Sequence, residues 1–326
     1  MGVFTTVSEA AARDFLLAYD VGQLARIEGI PAGSVNSNYG VELAADARAR
    51  PRRIFLRVYE EQDAEGARAE ARLLAHVAAR GVHTPAPLNA RDGSPIGELA
   101  GKPAALFPWI EGHMRCQAGV TVGDAFKVGA ELARVHRAGE GCDVGEGRFR
   151  HADLVERVGR IAGATSADLA GEAPRLSAQL ATWMARRGDL PRGLIHGDLF
   201  RDNVLWDASG GITALLDFES ASRGIFAYDL MVTVLAWCFG DALDVPLARA
   251  MVDGYRSVRE LEEAERVGLL AEGCLAALRF QVTRITDYAM KAGVGPRVLK
   301  DWRRFAMRFD NLEALGDRGL RDALGV

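Results

Sequence analysis

Between Gly193 and Gly224 the chain reads Gly-Leu-Ile-His-Gly-Asp-Leu-Phe-Arg-Asp-Asn-Val-Leu-Trp-Asp, then an Ala-Ser-Gly-Gly turn, then Ile-Thr-Ala-Leu-Leu-Asp-Phe-Glu. Short apolar runs flank polar residues that neither a buried strand nor a turn requires. Asp198 stands five residues before Asn203, and Asp217 closes the next apolar run. Phosphoryl transfer from ATP needs a carboxylate to orient the attacking hydroxyl and take its proton, and it needs oxygen ligands for Mg²⁺. Asp198 can do the first. Asn203 and Asp217 can do the second, because Mg²⁺ takes few protein oxygens and completes its shell with water and phosphate. Any one of these residues is ordinary turn chemistry. His196, Asp198, Asn203 and Asp217 in this order have the spacing of a phosphoryl-transfer loop followed by a metal-binding Asp-Phe pair.

The flanking segments must hold these groups. The Gly210-Gly211 turn predicts a hairpin of Asn203–Trp206 with Ile212–Leu216, which brings Asn203 and Asp217 together across its open end. Asp229 opens an apolar helix over Leu230–Phe239, where it can cap the helix and anchor the loop by hydrogen bonds. His136, at the end of a helix over Val122–Arg137, reads as a packing residue, with Phe126, Leu132 and Val135 on one apolar side.

Upstream, Thr6 and Glu9 have capping-box spacing for a first helix. Gly22–Ile30 and Arg52–Tyr59 read as strands. Between them, Gly33 to Tyr39 is small and polar, so Ser34, Asn36, Ser37 and Asn38 are candidates to present backbone N–H groups to phosphate. Arg57, in the strand Arg-Arg-Ile-Phe-Leu-Arg-Val-Tyr, is a candidate grip on the α- and β-phosphates. Glu70, on a helix over Ala64–Arg80, is its candidate partner. Arg is not a neutral replacement for the usual Lys, because the guanidinium is larger and forked. A short hairpin is expected around Pro95–Leu99, and a strand over Pro103–Ile110 runs into Glu111-Gly112. That junction divides the chain into 1–111 and 112–326, with adenine expected against the backbone near Phe107 and Trp109.

The remainder is helical: two helices over His151–Arg187 broken at Gly171–Pro174, then Pro246–Ser257, Glu260–Met290 and Pro296–Leu315. Arg279, Thr283, Arg284 and Asp287 fall near one face of the long helix. Arg279 and Arg284 are therefore candidates for an anionic group of the acceptor.

Composition narrows the classes. The 326 residues are 49% hydrophobic and carry a net charge of −4, which argues against nucleic acid as a partner. Arg outnumbers Lys 36 to 4. Cys116, Cys142, Cys238 and Cys274 are far apart and form no metal motif, so a reduced, cytoplasmic protein without zinc is expected. No apolar stretch reaches membrane-spanning length, and no secretory signal is apparent.

The loop His196-Gly197-Asp198-Leu199-Phe200-Arg201-Asp202-Asn203-Val204 and the pair Asp217-Phe218 resemble the aminoglycoside phosphotransferase and choline kinase superfamily. The whole chain is most similar to the type II homoserine kinases within it, through Ala18-Tyr19-Asp20-Val21-Gly22, Gly33 to Tyr39, Gly97 to Leu106, Ala227-Tyr228-Asp229-Leu230, Ala236-Trp237-Cys238-Phe239, Gly254 to Arg259 and Ala277-Leu278-Arg279-Phe280. The resemblance implies an α+β, two-lobed protein-kinase-like fold. Its smaller N-terminal lobe, with an antiparallel sheet, would bind nucleotide. Its larger, mainly helical C-terminal lobe would hold the catalytic loop and the acceptor site. The resemblance also implies a monomer or homodimer that uses ATP and Mg²⁺ to phosphorylate the hydroxyl of L-homoserine, a small amino-acid substrate, in threonine biosynthesis. Asp198 would be the base, Asn203 and Asp217 the metal ligands, and Arg57 with Glu70 the phosphate grip. Two positions depart from the homoserine pattern: Gly197 stands where those enzymes mostly have Ala, and Glu219 where they often have an aromatic residue. Glu219, a candidate acceptor contact, is similar instead to the wider superfamily. Another acceptor (an aminoglycoside, choline or a thio-sugar) is the alternative, and a nucleotide-binding pseudokinase is a further one that the intact Asp198, Asn203 and Asp217 argue against.

Overall fold

The computed structural model describes residues 3–31, 35–44, 53–147, 149–291 and 300–326. The chain divides into two units, Met1–Gly112 with Thr213–Leu216, and His113–Ile212 with Asp217–Val326.

The first unit is built on an antiparallel sheet. Its elements are α1 (Glu9–Leu16), β1 (Leu24–Gly29), β2 (Ser37–Leu43), β3 (Arg53–Val58), α2 (Ala64–Ala78), β4 (Gly97–Leu99) and β5 (Lys102–Pro108), with strand order β1-β2-β3-β5-β4. Alternation sets its faces. Tyr39, Val41 and Leu43 of β2 and Ile54, Leu56 and Val58 of β3 bury into one core with Phe15 and Leu16 of α1. Arg57 is out of phase with that set, opposite Asn38 on β2 and Ala105 on β5. Helix α1 is capped by Ser8, whose hydroxyl accepts from Ala11 N, and not by Thr6. The hairpin expected near Pro95 is β4 with β5. Its turn is made by Ala100 (φ 53°) and Gly101 (φ 74°), consecutive left-handed residues of the kind a tight hairpin needs.

The second unit contains α3 (Val122–Ala138), α4 (His151–Ala162), α5 (Ala167–Ala185), β6 (Arg192–Ile195), β7 (Val204–Trp206), β8 (Ile212–Leu215, mostly counted with the first unit), β9 (Ser222–Ile225), α6 (Phe226–Trp237), α7 (Val245–Arg256), α8 (Glu263–Asp287) and α9 (Arg303–Leu324). Strands β7 and β8 make the expected hairpin, and β6 pairs antiparallel with β9. Helices α6 and α8 are buried nearly all round and form the centre of this unit. Helix α9 breaks at Gly316 (φ 64°).

Three expectations need correction. The break between α4 and α5 falls at Gly163 to Ser166. Pro174 lies inside α5, where buried Ala173, Leu176, Leu180 and Trp183 hold the helix despite the lost backbone bond. Phe126 is 41% exposed, so the apolar face of α3 is carried by Val128, Leu132 and Val135. The last helix begins at Arg303 and runs past Leu315. Residues 296–299 of the expected span lie outside the described residues.

Helices α3 and α7 meet through glycines. A Cβ on Gly254 would lie 1.9 Å from Phe126 O, and one on Gly129 would lie 1.9 Å from Met251 O. Backbone cannot yield as a flexible side chain can. Gly254→Ala is therefore expected to destabilise the protein by about 1–3 kcal/mol or more, read as a lower urea midpoint.

Candidate active site

The loop joining β6 to β7 is tied down at both ends by helix α6. Near the helix start, Asp229 accepts from His196 N and Gly197 N, each at 2.7 Å, and pairs with His136 Nε2 at 3.0 Å. Near its end, Trp237 Nε1 donates to Leu199 O at 2.9 Å, and Arg201 donates to Ala236 O. The loop folds on itself between these anchors. Asp198 O accepts from Phe200 N and from Asn203 Nδ2, both at 2.8 Å. Gly197 has φ +75°, and a Cβ there would sit 2.9 Å from Ser220 O, so the tight passage before Asp198 favours glycine.

These contacts leave specific oxygens for chemistry. Asn203 spends its amide nitrogen on Asp198 O, so Oδ1, with no hydrogen bond among the described residues, is the atom that could hold a cation. Asp217 adopts the left-handed region (φ 61°, ψ 64°), a conformation that costs a non-glycine residue about 1–2 kcal/mol. No hydrogen bond or ion pair holds its carboxylate among the described residues. An amide oxygen and a free carboxylate are a donor set suited to a hard cation that keeps water and phosphate ligands. Asp198 is paired with Arg279, Nη1 to Oδ1 at 3.2 Å. Arg279 is 4% exposed and lies against the Phe149 and Phe280 rings, 4.0 and 3.8 Å from their centres. Arg284 is placed otherwise, donating to Asp301 O at 2.9 Å. Glu219 sits in the short turn Phe218–Ser220 that follows Asp217.

In the first unit, Arg57 Nη1 meets Glu70 Oε1 at 3.0 Å, and Gln62 Nε2 donates to Glu70 Oε2 at 3.2 Å. Both charged side chains are largely buried, so this is no solvated surface pair. Among the candidates of the polar segment, Ser34 lies outside the described residues. Asn36 Oδ1 accepts from Glu60 N at 3.1 Å, and the Ser37 hydroxyl is bonded to Glu60 and to Phe4 N. Ser37 and Asn38 belong to β2. Phe107 lies in β5 with its ring 6.1 Å from that of Phe55, and Trp109 is stacked by Arg53 at 3.5 Å.

A family model described as "Phosphotransferase enzyme family" (APH) matches residues 26–261. The chain belongs to this phosphotransferase family. A homoserine kinase of Nitrobacter winogradskyi is 36% identical over 298 residues, covering 88% of this chain and 87% of that protein. A homoserine kinase of Methylocella silvestris is 34% identical over 336 residues, covering 100% and 99%. Among solved structures, an amicoumacin kinase in complex with AMP-PNP and Ca²⁺ superposes with a TM-score of 0.69 at 14% identity, over 95% of this chain and 93% of that one. A microcompartment-associated aminopropanol kinase superposes with a TM-score of 0.66 at 22% identity, over 97% and 99%. The fold is that of the two-lobed kinase-like phosphotransferases. Among the described residues no helix is long and apolar enough to cross a membrane.

In this phosphotransferase the loop's main support is a buried polar chain. Burial pushes the Asp229 carboxyl up, but His136 and the His196 N–H outweigh it and hold the group below its usual value. Burial lowers His136 in turn, against the pull of Asp229. A neutral imidazole here donates from Nε2 to Asp229 and accepts at Nδ1 from Tyr255 OH, 2.8 Å away. Tyr255 OH accepts from Arg259, which pairs with Glu265 at 2.9 Å. His136 is thus a hydrogen-bonded support and not only a packing residue, and Tyr255 and Arg259 escaped the sequence reading as parts of the same chain. Their positions 119 and 123 residues beyond His136 carry no local signal.

Proposed function

We propose that the protein transfers the γ-phosphoryl group of ATP to the side-chain hydroxyl of L-homoserine, giving O-phospho-L-homoserine, the step that threonine biosynthesis takes. The observation that carries this reading is the similarity to homoserine kinases along 88% to 100% of the chain. In it, Asp198 orients the acceptor hydroxyl and takes its proton, and Arg279 fixes the Asp198 carboxylate. Asn203 Oδ1 and Asp217 hold Mg²⁺, which when bound neutralises charge on the phosphates. Arg57, oriented by Glu70, grips the phosphates. Catalysis is then mainly positioning and charge stabilisation.

The test is ADP release from purified protein with Mg-ATP and L-homoserine, beside choline, an aminoglycoside and a no-acceptor control. Release that depends on homoserine is expected. Release with choline or the aminoglycoside alone would assign a different acceptor to the same machinery, and binding of ATP without turnover of any acceptor would favour a pseudokinase. The phosphate grip has its own test. Arg57→Ala is expected to reduce kcat/KM for ATP by about 10–100-fold, the loss of a charge-assisted contact.

A further inference from the structure

Four arginines of the second unit lie close enough for their charges to act on one another, and no salt bridge neutralises any of them among the described residues. They are Arg201 of the catalytic loop, Arg284 of α8, and Arg304 and Arg308 of α9. The guanidinium carbons of Arg284 and Arg308 lie 4.4 and 4.5 Å from the centre of one ring, that of Phe305. Phe305 stacks on Phe280 at 4.8 Å and lies 6.3 Å from Phe200, the residue before Arg201. The partners these arginines have are neutral. Arg201 donates to Ala236 O and to Gln117 Oε1, and Arg284 donates to Asp301 O. Arg308 is 5% exposed, and its Nε is buried with no hydrogen-bond partner among the described residues.

A buried guanidinium surrounded by others of its own sign is a large local cost. Burial pushes Arg308 down to about 9, and the charges of Arg284, Arg201 and Arg304 push the same way. Burial likewise pushes Arg284 down to about 10, against the opposing pull of Tyr288, Asp198 and Asp301. An anion would relieve the buried Arg308 and its neighbour Arg284, and planar guanidiniums match a carboxylate.

We propose that this cluster seats the α-carboxylate of the acceptor, with Arg308 at its base and Arg284 and Arg201 beside it. The assignment rests on the homoserine reading and deepens it. Arg201 is three residues from Asp198 in the same loop. Homoserine has three carbons between hydroxyl and carboxylate, a short span suited to reaching both. Arg279 is engaged by Asp198 through Nη1, and the proposal gives it the role of holding that carboxylate. The cluster makes the carboxylate a requirement for good binding, so an amino alcohol without it should be a poor acceptor.

The experiment compares L-homoserine with 3-aminopropan-1-ol, the same molecule lacking the carboxylate, in wild type and Arg308→Met. The reading is the ratio of kcat/KM for the two acceptors. The ratio is expected to fall by about 10–100-fold in the variant, the loss of one charge-assisted contact, through a raised KM for homoserine. The melting temperature should hold or rise, because an uncompensated buried charge is removed. Arg201→Gln gives the same reading should Arg308→Met fail to fold. Wild type that turns over homoserine with a ratio unchanged in the variant overturns the carboxylate seat and leaves the function standing. Wild type that does not turn over homoserine overturns both.

Discussion

Asp198→Asn is expected to lower kcat by about 10²–10⁴-fold, the range for loss of a general base. The substitution is nearly isosteric. Its amide oxygen can still accept from Arg279 Nη1, which stands 3.2 Å from the Asp198 carboxylate. The loop's other supports run through the Asp198 backbone carbonyl, held by Phe200 N and Asn203 Nδ2, and do not depend on the side chain. Folding should therefore be little changed, and KM for ATP should stay near its wild-type value. Steady-state kinetics beside a thermal melt separate the two effects. A folded Asp198→Asn protein with undiminished kcat would remove Asp198 from the chemistry.

Asp229→Ala should cost the protein about 3–5 kcal/mol, because it removes three hydrogen bonds to a buried carboxylate, each worth about 1.5–3 kcal/mol and offset in part by the desolvation of that charge. Asp229 is fully buried, and its two oxygens serve three donors: His196 N, Gly197 N and His136 Nε2. Alanine leaves all three unsatisfied away from water. The loop that carries Asp198 loses its anchor at the same time, so kcat should fall as well. A urea melt gives the first quantity and kinetics below the transition the second. The pH dependence follows from the sign of the shift. Asp229 lies below its ordinary 3.8 in the folded protein, so its contribution is fully present above that value and is lost as pH falls through the lower folded value. Wild type should lose this stability in acid, and Asp229→Ala should show a flatter profile there. A variant as stable as wild type would show that the carboxylate is not what holds the loop.

Much of the fold was legible because it depends on local rules. The apolar pattern of β3 and the turn residues between β7 and β8 announce themselves within a few positions, whereas β2 begins inside the segment read as a polar loop, where Ser37 and Asn38 hide its start. The pairing of Arg57 with Glu70 follows from a strand and a helix next to each other in sequence. The misplaced break in α5 shows the limit: a proline outweighs most local evidence, yet here tertiary burial of Leu176, Leu180 and Trp183 wins. The site divides in the same way. Asp198, Asn203 and Asp217, the residues proposed for the chemistry, lie within 20 residues, so spacing alone is enough to propose them. The Tyr255–His136–Asp229 chain joins residues 119 and 93 positions apart, the arginine cluster joins the loop to two later helices, and only the packing of α3, α6, α7, α8 and α9 brings them together. Arg279 stood out on its helical face as a candidate acceptor contact, and the structure pairs it with Asp198. That assignment needs the three-dimensional meeting of α8 with the loop.

The measurement that tests the central claim most directly is phosphorus NMR of the product formed from Mg-ATP and L-homoserine, with Asp198→Asn as the control. The account predicts a phosphate monoester coupled to the two protons of the side-chain CH₂, formed by wild type and nearly absent with the variant. A phosphoramidate or acyl phosphate would place the transfer on the wrong atom. No homoserine product at all, with phosphate transferred to another acceptor in the same preparation, would contradict the claim outright.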